Sequence, residues 1–268
     1  MRARSVIGAL GLAPCLVVLA CLAPVCALGA ERSIGVVLLH GKLGATADDV
    51  EGLAAALTDA GLTVSTPDMA WSALRRFDVT IDLALDEIAR EIAAMRTAGV
   101  SRVVLAGYSM GANIALAFAA RRSGIDGLIV LGPGFMPERA GFRSGVAEAV
   151  AEARRNERAG QGRVIGRYLD YGYDGYTYPI DASAASYLSY YAPDGMAVMP
   201  ANAALMRTAL PVLWVVGERD VVAERDRSYA YDLLPPHPRS SFLIIDAGHL
   251  DTPRQAAPAL IKWLREAP

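Results

Sequence analysis

Short apolar runs alternate with helical patterns along most of the chain. The runs predict strands at 34–39, 62–65, 103–106, 128–131, 212–216 and 242–245, and the continuous apolar run at 34–39 is typical of a strand covered on both faces. Between them, apolar residues recur at helical spacing and predict helices, at 50–57, 80–97, 112–122, 222–234 and 256–266. Because strands that alternate with helices form parallel sheets, this order predicts an α/β fold with a doubly wound, mainly parallel sheet.

The alternation breaks after the strand that ends near Leu131 and resumes at Val212. The segment between, about 134–207, shows one polar helical pattern at 146–157 and then irregular sequence dense in Tyr, Gly and Asp. Such a segment is longer than an ordinary loop in a compact domain. We therefore expect a lid or binding element inserted into the fold.

The N-terminus has a different pattern from the rest of the chain. Arg2 and Arg4 precede an uncharged, mainly apolar stretch at 5–30 that ends in small residues. A positive start, an apolar run and a small-residue exit are typical of a secretory signal peptide. We predict a signal peptide at 1–30, a domain at 31–268, and export to the periplasm or the medium.

Other fates of this N-terminal segment stay open at this point. Cleavage can follow Ala27 instead of Ala30, the segment is long enough to remain as a membrane anchor, and Cys21 lies in a poor lipoprotein signal. Membrane contact is expected only through this segment, if it is not cleaved. The three cysteines of the chain, Cys15, Cys21 and Cys26, all lie in it. The mature domain would then have neither a disulfide nor thiolate chemistry.

The overall composition excludes some classes of function. The chain is 53% hydrophobic, and its 26 basic residues stand against 28 acidic ones. Such a balance does not provide the basic surface of a nucleic-acid-binding protein, so no nucleic acid partner is expected. The sequence contains no Gly-rich phosphate loop, no zinc-ligand spacing and no dinucleotide fingerprint, so no cofactor or metal is expected.

A Gly-x-Ser-x-Gly motif, Gly107 to Gly111, lies between a predicted strand and a predicted helix. In this context the glycines permit a sharp turn that raises the Ser109 hydroxyl above the sheet. The serine then lies at the start of a helix, where backbone N–H groups and the helix dipole favour negative charge. We predict Ser109 as a nucleophile.

A serine nucleophile needs a general base, and the chain has three histidines. His237 lies in a Pro-rich loop, whereas His40 and His249 follow strands whose ends should meet the same sheet edge as Ser109. His249 is predicted as the base, with a capping or surface histidine as the alternative. His40 is expected to brace its loop.

The acid that orients the imidazole is expected after the strand at 212–216. Asp220 follows that strand on the same edge and is predicted to hold the base and offset its charge. The rival carboxylates nearby are Glu218, Asp226 and Asp246.

An oxyanion intermediate needs N–H donors that already point at it. The amide of Met110 directly follows the nucleophile. The second donor is predicted to be the amide of Lys42, in the loop after the first strand, where Gly41 and Gly44 let the backbone approach closely.

Four landmarks thus occur in order, His40-Gly41-Lys42, Gly107 to Gly111, Gly217 to Asp220, and Gly248-His249. In this order they resemble the α/β-hydrolase superfamily, in the branch with a His-Gly-x oxyanion loop. The resemblance covers the predicted domain except the insertion, and implies the α/β-hydrolase fold with a triad in the chain order Ser, Asp, His. It does not extend to the insertion and leaves the substrate open.

Eight of the eleven tyrosines lie in the insertion. Tyrosine side chains combine apolar faces with a hydroxyl and suit the lining of a pocket. We expect Tyr187, Tyr190 and Tyr191 to contact the substrate, together with Tyr108 beside the nucleophile. Packing against the core is the alternative, because aromatic side chains are often buried.

These residues predict a serine hydrolase that cleaves a carboxylic ester or related acyl bond of a small molecule through an acyl-enzyme on Ser109. Thioesterase, acyltransferase and peptidase activities remain alternatives, because one triad serves them all. A non-catalytic binding protein that retains the fold is the alternative from another class. The complete set of serine, acid and histidine argues against it.

Overall fold

A computed structural model describes residues 33–44 and 49–266. The strands are β1 Ile34–Leu39, β2 Thr63–Ser65, β3 Arg102–Tyr108, β4 Gly127–Leu131, β5 Ile165–Tyr171, β6 Thr177–Ser183, β7 Val212–Gly217 and β8 Ser241–Ile245. The α-helices are α1 Glu51–Asp59, α2 Ile81–Thr97, α3 Met110–Arg121, α4 Ala140–Arg158, α5 Ala184–Tyr191, α6 Met199–Leu205 and α7 Thr252–Glu266.

Six of these strands form one parallel sheet in the order β2-β1-β3-β4-β7-β8. Alternate side chains of each strand point to opposite faces. Val37 of β1 faces a core that includes α2 and α3, and Val36 faces a core that includes α1 and α7. Full burial of one such side chain contributes about 1.5–3 kcal/mol. The predicted doubly wound, mainly parallel α/β fold is confirmed.

The second helix follows its predicted pattern closely. The Thr80 hydroxyl accepts a hydrogen bond from the Leu83 amide at the start of α2, and Gly99, with φ +89°, follows the end. The first helix differs from its prediction. The sequence offers Thr46 and Asp49 as caps for its start, but Thr46 lies outside the described residues, and the Asp49 carboxylate accepts a hydrogen bond from the Gly41 amide at 2.8 Å. Asp49 therefore connects this helix to the loop after β1.

The insertion between β4 and β7 is more regular than its sequence predicted. The polar helix predicted at 146–157 begins earlier, as α4 at Ala140. The segment predicted to be irregular contains an antiparallel hairpin of β5 and β6 and the helices α5 and α6. Gly175, with φ +82°, lies in the hairpin turn, where a left-handed residue is required. The action of this insertion as a lid stays a prediction.

The prediction of a helix at 222–234 is wrong. That stretch contains two short 3₁₀ turns, Arg227–Tyr229 and Tyr231–Leu233, separated by Ala230 with φ −151°. The Asp226 carboxylate accepts a hydrogen bond from the Ser228 amide at 2.9 Å. Such local bonds from side chain to backbone compete with helix formation.

The predicted signal peptide at 1–30 lies outside the described residues, and so stays a prediction. Within residues 33–44 and 49–266, no helix combines the length and the apolar character needed to cross a bilayer.

Candidate active site

The parallel sheet places four of the predicted site segments at one edge. The strands β1, β3, β7 and β8 all end there, because parallel strands share the same direction. His40 follows β1, Ser109 follows β3, Asp220 lies just beyond β7, and His249 lies beyond β8. The fold thus brings residues that are more than 200 positions apart in the chain to one site.

Ser109 lies on a sharp turn between β3 and α3. Its φ of 52° and ψ of −118° are strained for a residue with a side chain. The turn requires glycine on both sides. A Cβ on Gly107 would lie 2.1 Å from the Gly111 carbonyl oxygen, and a Cβ on Gly111 would lie 2.6 Å from the His40 carbonyl oxygen. The motif therefore has glycines where no larger residue fits.

A hydrogen-bonded chain connects Ser109, His249 and Asp220. The Ser109 Oγ lies 3.0 Å from His249 Nε2, and His249 Nδ1 lies 2.8 Å from Asp220 Oδ2. An ionised carboxylate only accepts hydrogen bonds, so Nδ1 carries the proton and Nε2 is free to accept the serine proton. The Asp220 side chain is fully buried, and that of His249 is 16% exposed.

The buried Asp220 carboxylate is held in its ionised form. Burial by itself raises its pKa, but the hydrogen bond with His249 and those from the Ala223 and Val222 amides outweigh burial, so the pKa lies below the ordinary value. Two of the three rival carboxylates have other partners. Asp226 caps the Ser228 amide, and Asp246 pairs with Arg219.

Tyr108 contacts the loop that carries His249. Its hydroxyl donates a hydrogen bond to the His249 carbonyl oxygen at 3.0 Å, and the two rings lie 5.2 Å apart. Burial raises the pKa of Tyr108, so the hydroxyl stays a donor. Its ring also lines the cavity above Ser109.

The loop after β1 is braced by His40, which is 1% exposed. Its Nε2 accepts a hydrogen bond from the Met69 amide at 3.1 Å, so its Nδ1 carries the proton and donates to the Gly41 carbonyl oxygen at 2.7 Å. The Trp71 indole donates to the His40 carbonyl oxygen at 2.9 Å. The geometry agrees with the expectation that His40 braces this loop.

Both predicted oxyanion donors line the same cavity as Ser109. Met110 begins α3, where amides have no partner within the helix, and Lys42 lies in the loop braced by His40. In the described part of the chain, neither amide donates to another protein group. Two N–H groups beside a serine hydroxyl can stabilise a developing negative charge.

The cavity above Ser109 has a volume of about 640 Å³. This volume lies within the range of small-molecule sites. Its walls combine the sheet edge with the start of α4 and the turn of the β5–β6 hairpin. The apolar and aromatic side chains of the wall include Tyr108, Met110, Phe135, Met136, Phe142 and Tyr171.

A family model described as the alpha/beta hydrolase family matches residues 36–259. The chain belongs to the alpha/beta hydrolase family. The match covers most of β1, all the other main-sheet strands and the three residues of the hydrogen-bonded chain. The superfamily resemblance of the four sequence landmarks is therefore confirmed.

Solved structures with this fold include enzymes of several types. The monoacylglycerol lipase of Paleococcus ferrophilus is 20% identical with a TM-score of 0.60, over 86% of this chain and 93% of that one. The esterase domain from a Rhodothermus marinus protein is 16% identical with a TM-score of 0.58, over 89% and 90%. The proline iminopeptidase of Mycobacterium smegmatis is 17% identical with a TM-score of 0.55, over 88% and 90%. At these identities the likeness concerns the fold alone. No curated protein matches the chain.

In this α/β hydrolase, the structure corrects the prediction for three tyrosines. Tyr187, Tyr190 and Tyr191 are fully buried and do not line the cavity. Tyr187 and Tyr191 stack at 4.6 Å, and Phe77 packs edge-on against Tyr190 and Tyr191 at 5.0 and 5.4 Å. Their spacing in the sequence places all three on one face of α5, and that face packs into the core.

Other tyrosines of the insertion face the cavity instead. Tyr171, Tyr173 and Tyr178 line it from the β5–β6 hairpin. One feature of the sequence could have indicated that this hairpin turn is exposed. The stretch Gly172-Tyr173-Asp174-Gly175 has the composition of a tight turn, and turns expose their side chains.

Proposed function

We propose that this α/β hydrolase is a serine hydrolase that cleaves carboxylic esters through an acyl-enzyme on Ser109. The observation that carries the proposal is the chain from Ser109 Oγ to His249 and Asp220, with links of 3.0 and 2.8 Å, at the base of a cavity. Serine, histidine and a buried carboxylate in this geometry form an activated nucleophile.

In the proposed mechanism, Ser109 Oγ attacks the ester carbonyl carbon while His249 Nε2 takes the hydroxyl proton. The amides of Met110 and Lys42 hold the negative oxygen. Collapse of the intermediate breaks the bond to the alcohol, which leaves with the proton from His249. Water then attacks the acyl-enzyme by the same route, with His249 again as base, and releases the carboxylic acid.

Asp220 acts in this mechanism through His249. Its carboxylate fixes the tautomer with the proton on Nδ1 and stabilises the imidazolium that forms during both steps. The amides of Val222 and Ala223 hold its other oxygen at 2.8 and 2.9 Å, so the carboxylate cannot rotate away from the ring.

The rim of the cavity supports an ester with a sizeable apolar group. Three of the segments that line the cavity each contribute an exposed apolar side chain. Tyr173 is 81% exposed, Val221 is 93% exposed and Leu250 is 79% exposed. Exposed apolar side chains grouped around a cavity mark a binding surface. An acyl or alcohol chain longer than the cavity would continue onto this rim.

Hydrolysis of a series of p-nitrophenyl esters tests this proposal. Activity that rises with acyl chain length and is lost in Ser109→Ala is the expected outcome. Equal activity of the wild-type protein and Ser109→Ala would refute the proposed role of the serine. Activity that decreases as the acyl chain lengthens from acetate would refute the proposal that the substrate carries a sizeable apolar group.

We also propose that the protein is exported after removal of residues 1–30. Support comes from the sequence of that segment, with Arg2 and Arg4 before an apolar run. N-terminal sequencing of protein from its native host should find a start near Glu31. An intact Met1 would instead indicate an anchor, and a lipid on Cys21 a lipoprotein.

A further inference from the structure

The side chain of Lys42 connects the loop after β1 to the insertion. Its ammonium nitrogen lies 2.6 and 2.8 Å from the two carboxylate oxygens of Asp170, and 2.8 Å from the Tyr171 carbonyl oxygen. An ammonium group has three donors, and these contacts use all of them. The charge of Lys42 is therefore committed to the insertion and is not available to a substrate.

Asp170 is an unusual residue for the strand that carries it. It lies near the end of β5, and its side chain is only 3% exposed, whereas that of Lys42 is 17% exposed. A buried charge is costly unless it is paired and hydrogen-bonded. Tyr191 of α5 supplies a further bond, because its hydroxyl donates to Asp170 Oδ1 at 2.9 Å. The carboxylate is thus fixed in place by two elements.

The backbone of the same loop is strained where it carries the proposed oxyanion donor. Leu43, directly after Lys42, has φ +56°, which is unfavourable for a branched side chain. Strained backbone persists only where its surroundings hold it. From the core side, Leu43 N–H donates to the Trp71 carbonyl oxygen at 2.9 Å. From the insertion side, the ion pair with Asp170 holds the adjacent residue.

We propose that Asp170 is a positioning residue for the oxyanion hole: by holding the Lys42 ammonium, it fixes the Lys42 amide at the site. This inference rests on the proposed serine hydrolase function. It makes the insertion part of the machinery that stabilises the transition state, in addition to a wall of the cavity. Asp170 itself does not touch the reacting atoms.

The proposal predicts a distinctive kinetic defect in Asp170→Asn. The substitution keeps the size of the side chain but removes the charge that holds Lys42. A misplaced oxyanion donor reduces the stabilisation of the transition state more than it reduces the binding of the substrate. We therefore expect kcat to fall about tenfold to hundredfold with little change in KM. A boronic acid, which mimics the tetrahedral intermediate, should lose affinity by a similar factor.

Two buried tyrosines of α5 provide a matched comparison. Tyr191→Phe removes the hydroxyl that donates to Asp170, and Tyr187→Phe removes one that donates to the Leu169 carbonyl oxygen at 2.6 Å. Each change deletes one hydrogen bond made by a buried tyrosine of the same helix. Tyr191→Phe should lower kcat and boronic acid affinity together, and Tyr187→Phe should leave both unchanged. If Asp170→Asn does not fold, the comparison of Tyr191→Phe with Tyr187→Phe still tests the positioning role of Asp170.

The outcomes separate this proposal from the proposed function. Labelling of wild-type Ser109 by a fluorophosphonate establishes the nucleophile first. If labelling occurs while a folded Asp170→Asn keeps wild-type kcat and boronic acid affinity, only the positioning role is overturned. Equal effects of Tyr191→Phe and Tyr187→Phe also overturn it. Absence of labelling in the wild-type protein overturns both proposals.

Discussion

The two sides of the cavity are built on different principles. On the sheet edge, the site consists of turns with tightly constrained backbone and of polar groups that are buried and hydrogen-bonded, such as Asp220 with its three partners. On the insertion side, the lining is aromatic and partly exposed, with Tyr173 at 81%. Rigid polar geometry suits bond cleavage, and an apolar rim suits selection among substrates. The Lys42–Asp170 ion pair is where the two sides meet.

The largest expected effect lies on the sheet edge. Ser109→Ala should lower kcat by about 10⁶, and His249→Ala by a similar factor, because the members of a triad act as a unit. Ser109→Ala should not lower the melting temperature appreciably, because the Ser109 side chain lies at the cavity. His249→Ala should lower it modestly, because the buried Asp220 carboxylate loses its histidine partner. Single-turnover and steady-state kinetics beside a thermal melt check this. Loss of activity accompanied by unfolding would assign these residues to stability instead.

Asp220→Asn should have the second largest effect. The amide keeps the size of the side chain but favours the wrong histidine tautomer, so kcat should fall about 10⁴-fold while the fold is preserved. Steady-state kinetics measure the loss, and Asp226→Asn serves as the control. Full activity in Asp220→Asn, with loss in a variant of Asp226 or Asp246, would contradict the assignment of the acid.

Acidification should lower activity before it affects the fold. The general base must be neutral to accept the serine proton, so kcat/KM should fall on acidification as the histidine becomes protonated. Folding lowers the pKa of Asp220. The ionised carboxylate therefore stabilises the fold fully at pH values above its pKa in the unfolded chain. This stabilisation is lost only as the pH falls through its lower pKa in the folded protein. A pH–rate profile combined with circular dichroism measures both. A rate that stays flat down to about pH 4.5 would exclude a histidine base.

Substitutions on the insertion side should change substrate ranking by smaller factors. Tyr173→Ala should alter the ratio of kcat/KM between long and short esters by about tenfold to two-hundredfold, the usual value of a pocket contact. Tyr176→Ala is a matched control, because Tyr176 is 70% exposed on the same hairpin turn but does not line the cavity. The measurement is an ester panel run on both variants. Identical rankings would remove the hairpin turn from the substrate site.

The smallest expected effect concerns the core beneath the insertion. The Tyr190 hydroxyl is buried, and no hydrogen-bond partner for it is found within the described residues. A buried polar group without a partner costs about 1–3 kcal/mol. Tyr190→Phe should therefore leave the free energy of unfolding unchanged or raise it, with no effect on substrate ranking. Denaturant unfolding checks this, and a clear loss of stability would show that the hydroxyl has a partner, such as a water molecule.

The sheet and its edge could be predicted because their signals are local. Continuous apolar runs identify strands covered on both faces, and a parallel topology then places the residues after each strand together. The structure brings Ser109, His249 and Asp220 together as that reasoning predicted. The contact between Lys42 and Asp170 had no local signal, because the two residues lie 128 positions apart.

The insertion was harder to predict because its structure depends on distant partners. The pairing of β5 with β6 relies on cross-strand contacts, and neither strand shows a clear alternation of apolar and polar residues. The burial of Tyr187, Tyr190 and Tyr191 did have a signal, since spacings of three and four residues place them on one helical face. The large number of tyrosines in the insertion suggested the lining of a pocket, whereas the spacing of these three indicated that they pack into the core. At 222–234, apolar spacing predicted a helix that local side-chain caps prevent.

Mass spectrometry after treatment with a fluorophosphonate tests the central claim most directly. The reagent reacts covalently with a serine only when that serine is activated by a neighbouring base. We predict one phosphonyl group per wild-type chain, on the peptide that contains Ser109, and greatly slowed labelling of His249→Ala. Labelling at another residue, or none in the folded wild-type protein, would contradict the account.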